Sequence, residues 1–381
     1  MRRSPREAIK MTIVLTGGGT AGHIMPNIAL LPYLKKYFDK VYYIGGGGME
    51  KAIAEKYGVP FYETSVVKLD RGNPAKNLKI PFVLPKAVAE AERILKKLRP
   101  DIVYSRGGYA SLPAVLAACL LRVPVAAHEA DMSLGAANKL CAPFCKKVFL
   151  SFQSGKPKGK KFVCTGAPVR DEIFKYAKNE AKKLLGIPPS MRVLLIVGGS
   201  SGARAVNECV YSCLDRLTDS AFVLHITGGT GDKSIRRKNY KSTEYTDDIG
   251  LYFAAADAVV SRAGANTAAE LFALGKKTLF IPLPKTASRG DQIKNAEYYE
   301  KKGAAILRQE NMNADTLTKA VNALLSKSEK ENKTAYAAKI NTDTSHGSEK
   351  ESKTAYGSND VPYESPNKKI AELIYQTAIK K

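Results

Sequence analysis

The chain contains no tryptophan, and its 36 acidic residues are far outnumbered by 60 lysines and arginines. Such a basic surplus, +24 in formal charge, attracts polyanions: nucleic acid, an anionic membrane surface or a phosphorylated substrate. No arginine-rich aromatic motif and no zinc-finger spacing accompanies it, so nucleic acid is not the expected partner. The six cysteines form no CxxC, and Cys141/Cys145 and Cys209/Cys213 have no neighbouring histidines. They read as core thiols in a reducing compartment rather than as metal ligands or disulfides. A long apolar run is missing too. The richest window, 110–127, is broken by Pro113, Arg122 and Pro124, which suits a buried helix followed by a buried strand better than a membrane span. The basic opening MRRSPREAIK leads into an apolar run that ends at Gly17, so no secretory signal is expected, and residues 1–10 read as a disordered extension before Met11.

What is present is rhythm. MTIVLTG, VYYIGG, DIVYSRG, VPVAAHE and KKVFLSF, then MRVLLIVGG, FVLHITGG, DAVVSRAG and KTLFIPL, are short β-branched runs separated by helical patterns. They predict an α/β chain with two doubly wound parallel sheets, whose ligands bind beyond the carboxyl ends of the strands. Lysine, glycine and proline cluster over 153–170, where we place the hinge. Residues 11–160 then form a first domain and 161–325 a second. A near duplication, SEKENKTAY and SEKESKTAY, marks 326–366 as a polar insertion with too few large apolar residues for a core. Residues 367–381 resume amphipathic periodicity as a closing helix.

The polar residues gather where those strands end. Gly17–Gly19, Thr20, Gly22 and His23 form a glycine-rich turn opening a helix, which lets backbone N–H groups and the helix dipole face an anion. The glycines are not in the usual dinucleotide register, and no ribose-binding acid follows the next strand, which argues against hydride transfer. VGGSSGARAVN repeats the device at 197–207 with Ser200, Ser201, Gly202 and Ala203. Glu270 in SRAGANTAAE can accept two ribose hydroxyls. RGGYASLP carries Tyr109, HEADMSLGAANK carries His128, Glu129, Asp131 and Asn138, and LPKTASRGDQIKNA carries Asp291 and Gln292. Amides and carboxylates so placed suit sugar hydroxyls.

In order and spacing, GGGTAGHxxPNxAL, RGGYASLPxxLAA, HEADxxxGxxNK, TGAPVR, GGSSGAxxxN, SRAGANTxxE and DQxxNA resemble the MurG family over about residues 11–325. The resemblance implies a GT-B fold, two Rossmann-like domains facing across a cleft. It further implies inverting transfer of N-acetylglucosamine from UDP-N-acetylglucosamine to the 4-hydroxyl of lipid I, giving lipid II. By that resemblance His23 and Glu129 are the candidate general bases. Thr20, Gly22, Asn138, Arg170, Ser200, Ser201, Gly202, Ala203, Glu270, Asp291 and Gln292 are assigned to the donor, with Asn138 also helping to shape the acceptor side. Gly18, Gly19, Tyr109 and Asp131 are assigned to the acceptor. Many relatives carry asparagine where this chain has Asp131 and glycine where it has Ala21, so a neutral amide contact at 131 is not assumed.

The same likeness implies peripheral attachment to the cytoplasmic face of a bacterial membrane and cell-wall synthesis machinery as a further partner. NLKIPFVLPKAV, 77–88, mixes Leu78, Ile80, Phe82 and Leu84 with lysines and suits an anionic lipid surface. No cofactor and no metal is expected, since no DxD-type motif appears and a helix N-terminus with Arg170 can stabilise the leaving diphosphate. The rival readings are a related UDP-sugar enzyme, with another acceptor or as an epimerase, and a docked scaffold without turnover.

Overall fold

The computed structural model describes residues 10–19, 21–66, 78, 80–153, 157, 159–199, 202–232, 234–327 and 365–380. The chain divides into two compact units, Met1–Arg170 with Ser365–Lys381, and Asp171–Glu364. Thr20, Ser200, Ser201, nearly all of the predicted extension and most of the duplicated insertion lie outside the described residues.

The first unit is a seven-stranded, wholly parallel sheet. In chain order its strands are β1 (Thr12–Thr16), β2 (Lys40–Gly45), β3 (Phe61–Glu63), β4 (Ile102–Ser105), β5 (Val125–Glu129), β6 (Lys147–Leu150) and β7 (Phe162–Cys164), and in space they run β3-β2-β1-β4-β5-β6-β7. Helices α1 (Ala21–Leu34), α2 (Met49–Lys56), α3 (Ile80–Leu98), α4 (Leu112–Leu120) and α5 (Ala136–Cys141) form its crossovers. Strands buried on both faces must be apolar throughout, and Ile13, Val14 and Leu15 of β1 have no exposed surface. The strand order reverses between β1 and β4, so the turns after these two strands border the crevice that such a sheet opens to ligands.

The second unit repeats the plan with six parallel strands: β8 (Val193–Val197), β9 (Phe222–Ile226), β10 (Tyr240–Thr243), β11 (Ala258–Ser261), β12 (Lys277–Phe280) and β13 (Ala305–Ile306), in the order β10-β9-β8-β11-β12-β13. Its helices are α6 (Lys178–Leu184), α7 (Arg204–Ser212), α8 (Leu214–Ser220), α9 (Ile249–Ala255), α10 (Ala265–Ala273), α11 (Asp291–Glu300) and α12 (Ala314–Ser326). Here the order reverses between β8 and β11, again beside a glycine turn.

Two features correct the boundaries read from the sequence. The first unit runs to Arg170 rather than to 160, because Phe162–Cys164 pairs with β6 as an edge strand. The closing helix, α13 (Pro366–Ile379), returns to that same unit. Ile370, Ala371, Ile374 and Ala378 enter the core beside Ile24, Ile28 and Leu31 of α1. Asn367, fully buried, donates from Nδ2 to the carbonyls of Val169 (2.6 Å) and Ala29 (3.4 Å) and accepts from the Val169 amide (3.1 Å). Satisfying a buried amide on three sides fixes the helix in register. Of the cysteines, read from the sequence as core thiols, Cys141, Cys145 and Cys213 are buried, Cys164 and Cys209 are partly buried, and Cys119 is exposed.

Candidate active site

In the first unit the turn after β1 is tied down through the carbonyls of Thr16 and Gly17 and the amides of Gly18 and Gly19. Asn27 donates to the Thr16 carbonyl (3.3 Å), and the Tyr43 hydroxyl donates to that of Gly17. The Gly18 amide donates to the Gly107 carbonyl (3.3 Å), and the Gly19 amide to Glu50 Oε1 (2.5 Å). The other oxygen of Glu50 accepts from the Gly46 amide at 2.9 Å. Sequence reasoning assigned Gly18 and Gly19 to an acceptor anion; both amides are instead committed inside the protein. The turn leads directly into α1, whose N-terminal end carries the positive end of the helix dipole.

His23 sits in that first helical turn, half-buried, with Nδ1 3.0 Å from the carbonyl oxygen of Arg106. A carbonyl only accepts, so Nδ1 carries the proton and the lone pair of the neutral ring lies on Nε2. Burial pulls the imidazole pKa below its ordinary 6.5; the Arg106 charge adds to this, while the Arg106 carbonyl and the Asp131 carboxylate oppose it. The ring is therefore neutral at pH 7 and able to accept a proton. Tyr109 lies beside Gly19, close enough that any Cβ there would strike its ring. Partial burial and the Glu50 charge raise the pKa of its phenol.

Glu129, the other candidate base, ends β5 with both carboxylate oxygens occupied. Oε1 accepts from the Asp131 amide (3.0 Å); Oε2 accepts from the Gly135 amide (2.7 Å) and Asn138 Nδ2 (2.9 Å). It is 5% exposed. Three donors on two oxygens describe a carboxylate that organises the β5–α5 loop. Asn138 is likewise buried, bonded to Glu129 and to the His128 carbonyl, and a Cβ at Gly107 would come within 2.9 Å of it. It holds two loops rather than facing open space. His128 is fully buried, with Nδ1 3.0 Å from the Tyr104 hydroxyl and Nε2 3.2 Å from Ser151 Oγ; burial drives its pKa well below 6.5.

Two residues escaped the sequence reading. Arg106, 1% exposed, is a buried guanidinium whose charge acts on His23, His128 and Tyr104. A buried charge is costly without compensation, so an arginine within RGGY at a strand end was itself a signal. Glu50 was hidden because GGGGME reads as a turn followed by an ordinary helical glutamate.

In the second unit the turn after β8 holds Gly199 and Gly202 with positive φ, and the Gly202 amide donates to the Gly199 carbonyl (3.0 Å). A Cβ at Gly202 would collide with the Thr227 carbonyl, so glycine is required for both conformation and space. Ala203 caps α7 and is buried. Asn207 on α7 clamps the neighbouring turn, donating to the Thr227 carbonyl (2.9 Å) and Thr230 Oγ1 (3.0 Å), while its Oδ1 lies 3.0 Å from His225 Nε2. Glu270 is buried in the second turn of α10. Gln292 accepts the Leu283 amide on Oε1 (3.1 Å), which leaves its NH₂ to donate. Asp291, the first residue of α11, pairs with Arg289 at 2.6 Å. Arg262, also buried, spends its guanidinium on the Ile281 and Pro282 carbonyls and Gln309. Of the residues assigned to the donor, Gly22, Asn138 and Arg170 belong to the first unit and Gly202, Ala203, Glu270, Asp291 and Gln292 to the second.

These two sets of strand-end residues match known domains. The N-terminal domain of glycosyltransferase family 28 matches residues 13–150, and its C-terminal domain matches residues 193–349. The chain belongs to glycosyltransferase family 28, in its MurG branch. Within the family it is 43% identical over 319 residues to the UDP-N-acetylglucosamine--N-acetylmuramyl-(pentapeptide) pyrophosphoryl-undecaprenol N-acetylglucosamine transferase of Clostridium botulinum (strain Hall), covering 82% of this chain and 90% of that protein. The enzyme of the same name from Clostridium perfringens (strain SM101) is 39% identical over 328 residues, covering 84% and 92%. MurG from Acinetobacter baumannii shares the fold with a TM-score of 0.68 at 24% identity, covering 96% of this chain and 99% of that one. The UDP-GlcNAc 2-epimerase of Neisseria meningitidis also shares it, TM-score 0.63 at 14% identity over 97% and 100%. The fold therefore serves more than one chemistry, and family 28 membership makes this chain a glycosyltransferase.

Proposed function

We propose that the chain transfers N-acetylglucosamine from UDP-N-acetylglucosamine to the 4-hydroxyl of undecaprenyl-diphospho-N-acetylmuramoyl-pentapeptide, with inversion at the anomeric carbon. The observation that carries the reading is the 43% identity to an enzyme of that name along 90% of its length. On this reading the parts divide as follows. His23 Nε2 takes the proton of the acceptor hydroxyl as its oxygen bonds to the anomeric carbon and the bond to UDP breaks. The N-terminus of α7 takes up the charge developing on the diphosphate, and the transfer runs without a metal ion. Glu270 holds the ribose; Gln292, through its NH₂, and Asp291 hold the sugar. Glu129 and Asn138 keep the β5–α5 loop, and with it Asp131, in place against His23.

The enzyme works as a peripheral protein on the cytoplasmic face of a bacterial membrane. Leu78 and Phe82 are 75% and 82% exposed, and Lys86 stands out beside them at the start of α3, a mixture that lipid with anionic headgroups would cover. Lys76 and Lys79 of the same stretch lie outside the described residues. Among the described residues no helix is long and apolar enough to cross a membrane.

The deciding experiment follows radiolabelled N-acetylglucosamine from its UDP donor onto a lipid I analogue in detergent, with chelator present, for wild type, His23→Ala and Glu129→Ala. Product from wild type and its loss in His23→Ala, with UDP still bound, supports the reading. No product from wild type despite UDP binding points to a different acceptor.

A further inference from the structure

The buried carboxylate of Glu50 joins two glycine turns that are 27 residues apart in sequence, Gly19 in the turn after β1 and Gly46 in the turn after β2. It is 6% exposed, and its two oxygens are divided, one to each turn. Both turns are shaped around it: a Cβ at Gly18 or at Gly45 would fall inside the carboxylate group. On its far side the Glu50 charge reaches Tyr43 and Tyr109, the first of which binds the Gly17 carbonyl and the second of which lies against Gly19. The bond to Gly46 thus anchors Glu50 on the turn after β2, while its bond to Gly19 and its influence on Tyr43 and Tyr109 bear on the short stretch that ends, four residues after Gly19, at His23.

We propose that Glu50 is a positioning residue for the transfer reaction, setting through Gly19 the conformation of the turn from which His23 projects. A carboxylate suits this task because both of its partners are N–H donors; an amide could accept only one of them and would turn its own NH₂ toward the other. Glu50 touches neither substrate, and its effect passes through the loop. A shift of the reacting groups by about 1 Å is enough to lower turnover on the order of 100-fold, so a tie at this position has the leverage that the inference requires.

The inference rests on the transfer reaction proposed above, and one experiment separates the two. Initial rates with UDP-N-acetylglucosamine and a lipid I analogue are measured for wild type, Glu50→Gln, His23→Ala and the double variant, with UDP affinity followed by calorimetry. The expected result for Glu50→Gln is a kcat lowered by about 10- to 100-fold, with UDP affinity within about twofold of wild type. In the His23→Ala background the same change should cost less than about threefold, because a misplaced base cannot be lost twice. Gly18→Ala approaches the same contact from the other side, its Cβ driving the carboxylate away, and should reproduce the kcat loss where Glu50→Gln fails to fold. Undiminished kcat in Glu50→Gln, or a loss of equal size with and without His23, overturns the positioning role. Absence of turnover in wild type overturns the reaction itself, and the inference with it.

Discussion

His23 Nδ1 lies 3.0 Å from the carbonyl oxygen of Arg106, and that bond leaves Nε2 as the one basic atom of the ring. Burial holds the ring neutral by lowering the imidazole pKa, with the Arg106 charge adding to that and the Arg106 carbonyl opposing it. A base that is neutral at pH 7 and fixed in one tautomer is ready to accept a proton from a hydroxyl.

His23→Ala should lower kcat by about 10²- to 10⁴-fold, the usual contribution of a positioned base, with donor affinity preserved. In wild type kcat/KM should rise with pH along a limb whose midpoint lies below 6.5, because proton transfer needs the neutral ring and burial has lowered its pKa. The limb should be missing from His23→Ala. Steady-state rates between pH 5 and pH 8 check both.

Glu129→Gln should act mainly on stability. The amide retains one acceptor oxygen for sites where the carboxylate serves the Asp131 and Gly135 amides and Asn138, so at least one buried donor is left unmatched, at about 1–3 kcal/mol. Urea unfolding should show that loss, while the residual transfer rate keeps the acid limb that belongs to His23. A rate profile stripped of that limb would return Glu129 to the role of base.

Gly202→Ala should weaken UDP binding by about tenfold or more while leaving the first unit folded, since a side chain at φ +77 is strained and this one meets the Thr227 carbonyl. Titration calorimetry with UDP reads the effect directly. Unchanged affinity would remove the β8–α7 turn from the donor site.

His225 should make the second unit sensitive to mild acid. It is fully buried between Asn207 and Tyr240, and burial lowers its pKa from 6.5 to about 4. The unfolded chain therefore binds a proton that the folded one refuses. Stability is intact above pH 6.5, falls as pH drops from there toward 4, and loses up to about 3 kcal/mol by this route. Urea midpoints at pH 7 and pH 5 should differ in wild type, and the difference should shrink in His225→Asn.

The long central strands were legible because strands buried on both faces must be continuously apolar, as VLLIV in β8 and TIVLT in β1 are. The edges were not. β3, β7, β10 and β13 have two to four residues each and are partly exposed, too short for any periodicity to register, and β7 displaced the domain boundary with it. At the site, glycines, His23 and Glu270 announced themselves by position after a strand. Their division of labour did not, because it depends on tertiary partners. Glu129 and Asn138 are committed to each other, and Gly18 and Gly19 to Gly107 and Glu50, across 9 to 89 residues of sequence that no local pattern connects.

The return of α13 to the first unit has a consequence for the order in which the protein is made. Its apolar face completes a core begun by α1, yet on the ribosome it emerges only after the whole of the second unit. The first unit must wait, its Ile24, Ile28 and Leu31 uncovered, while the second can close as soon as α12 appears. Synthesis thus reverses the order of the two units: the second can mature before the first is complete, and the first is the one exposed to chaperones and proteases in the interval.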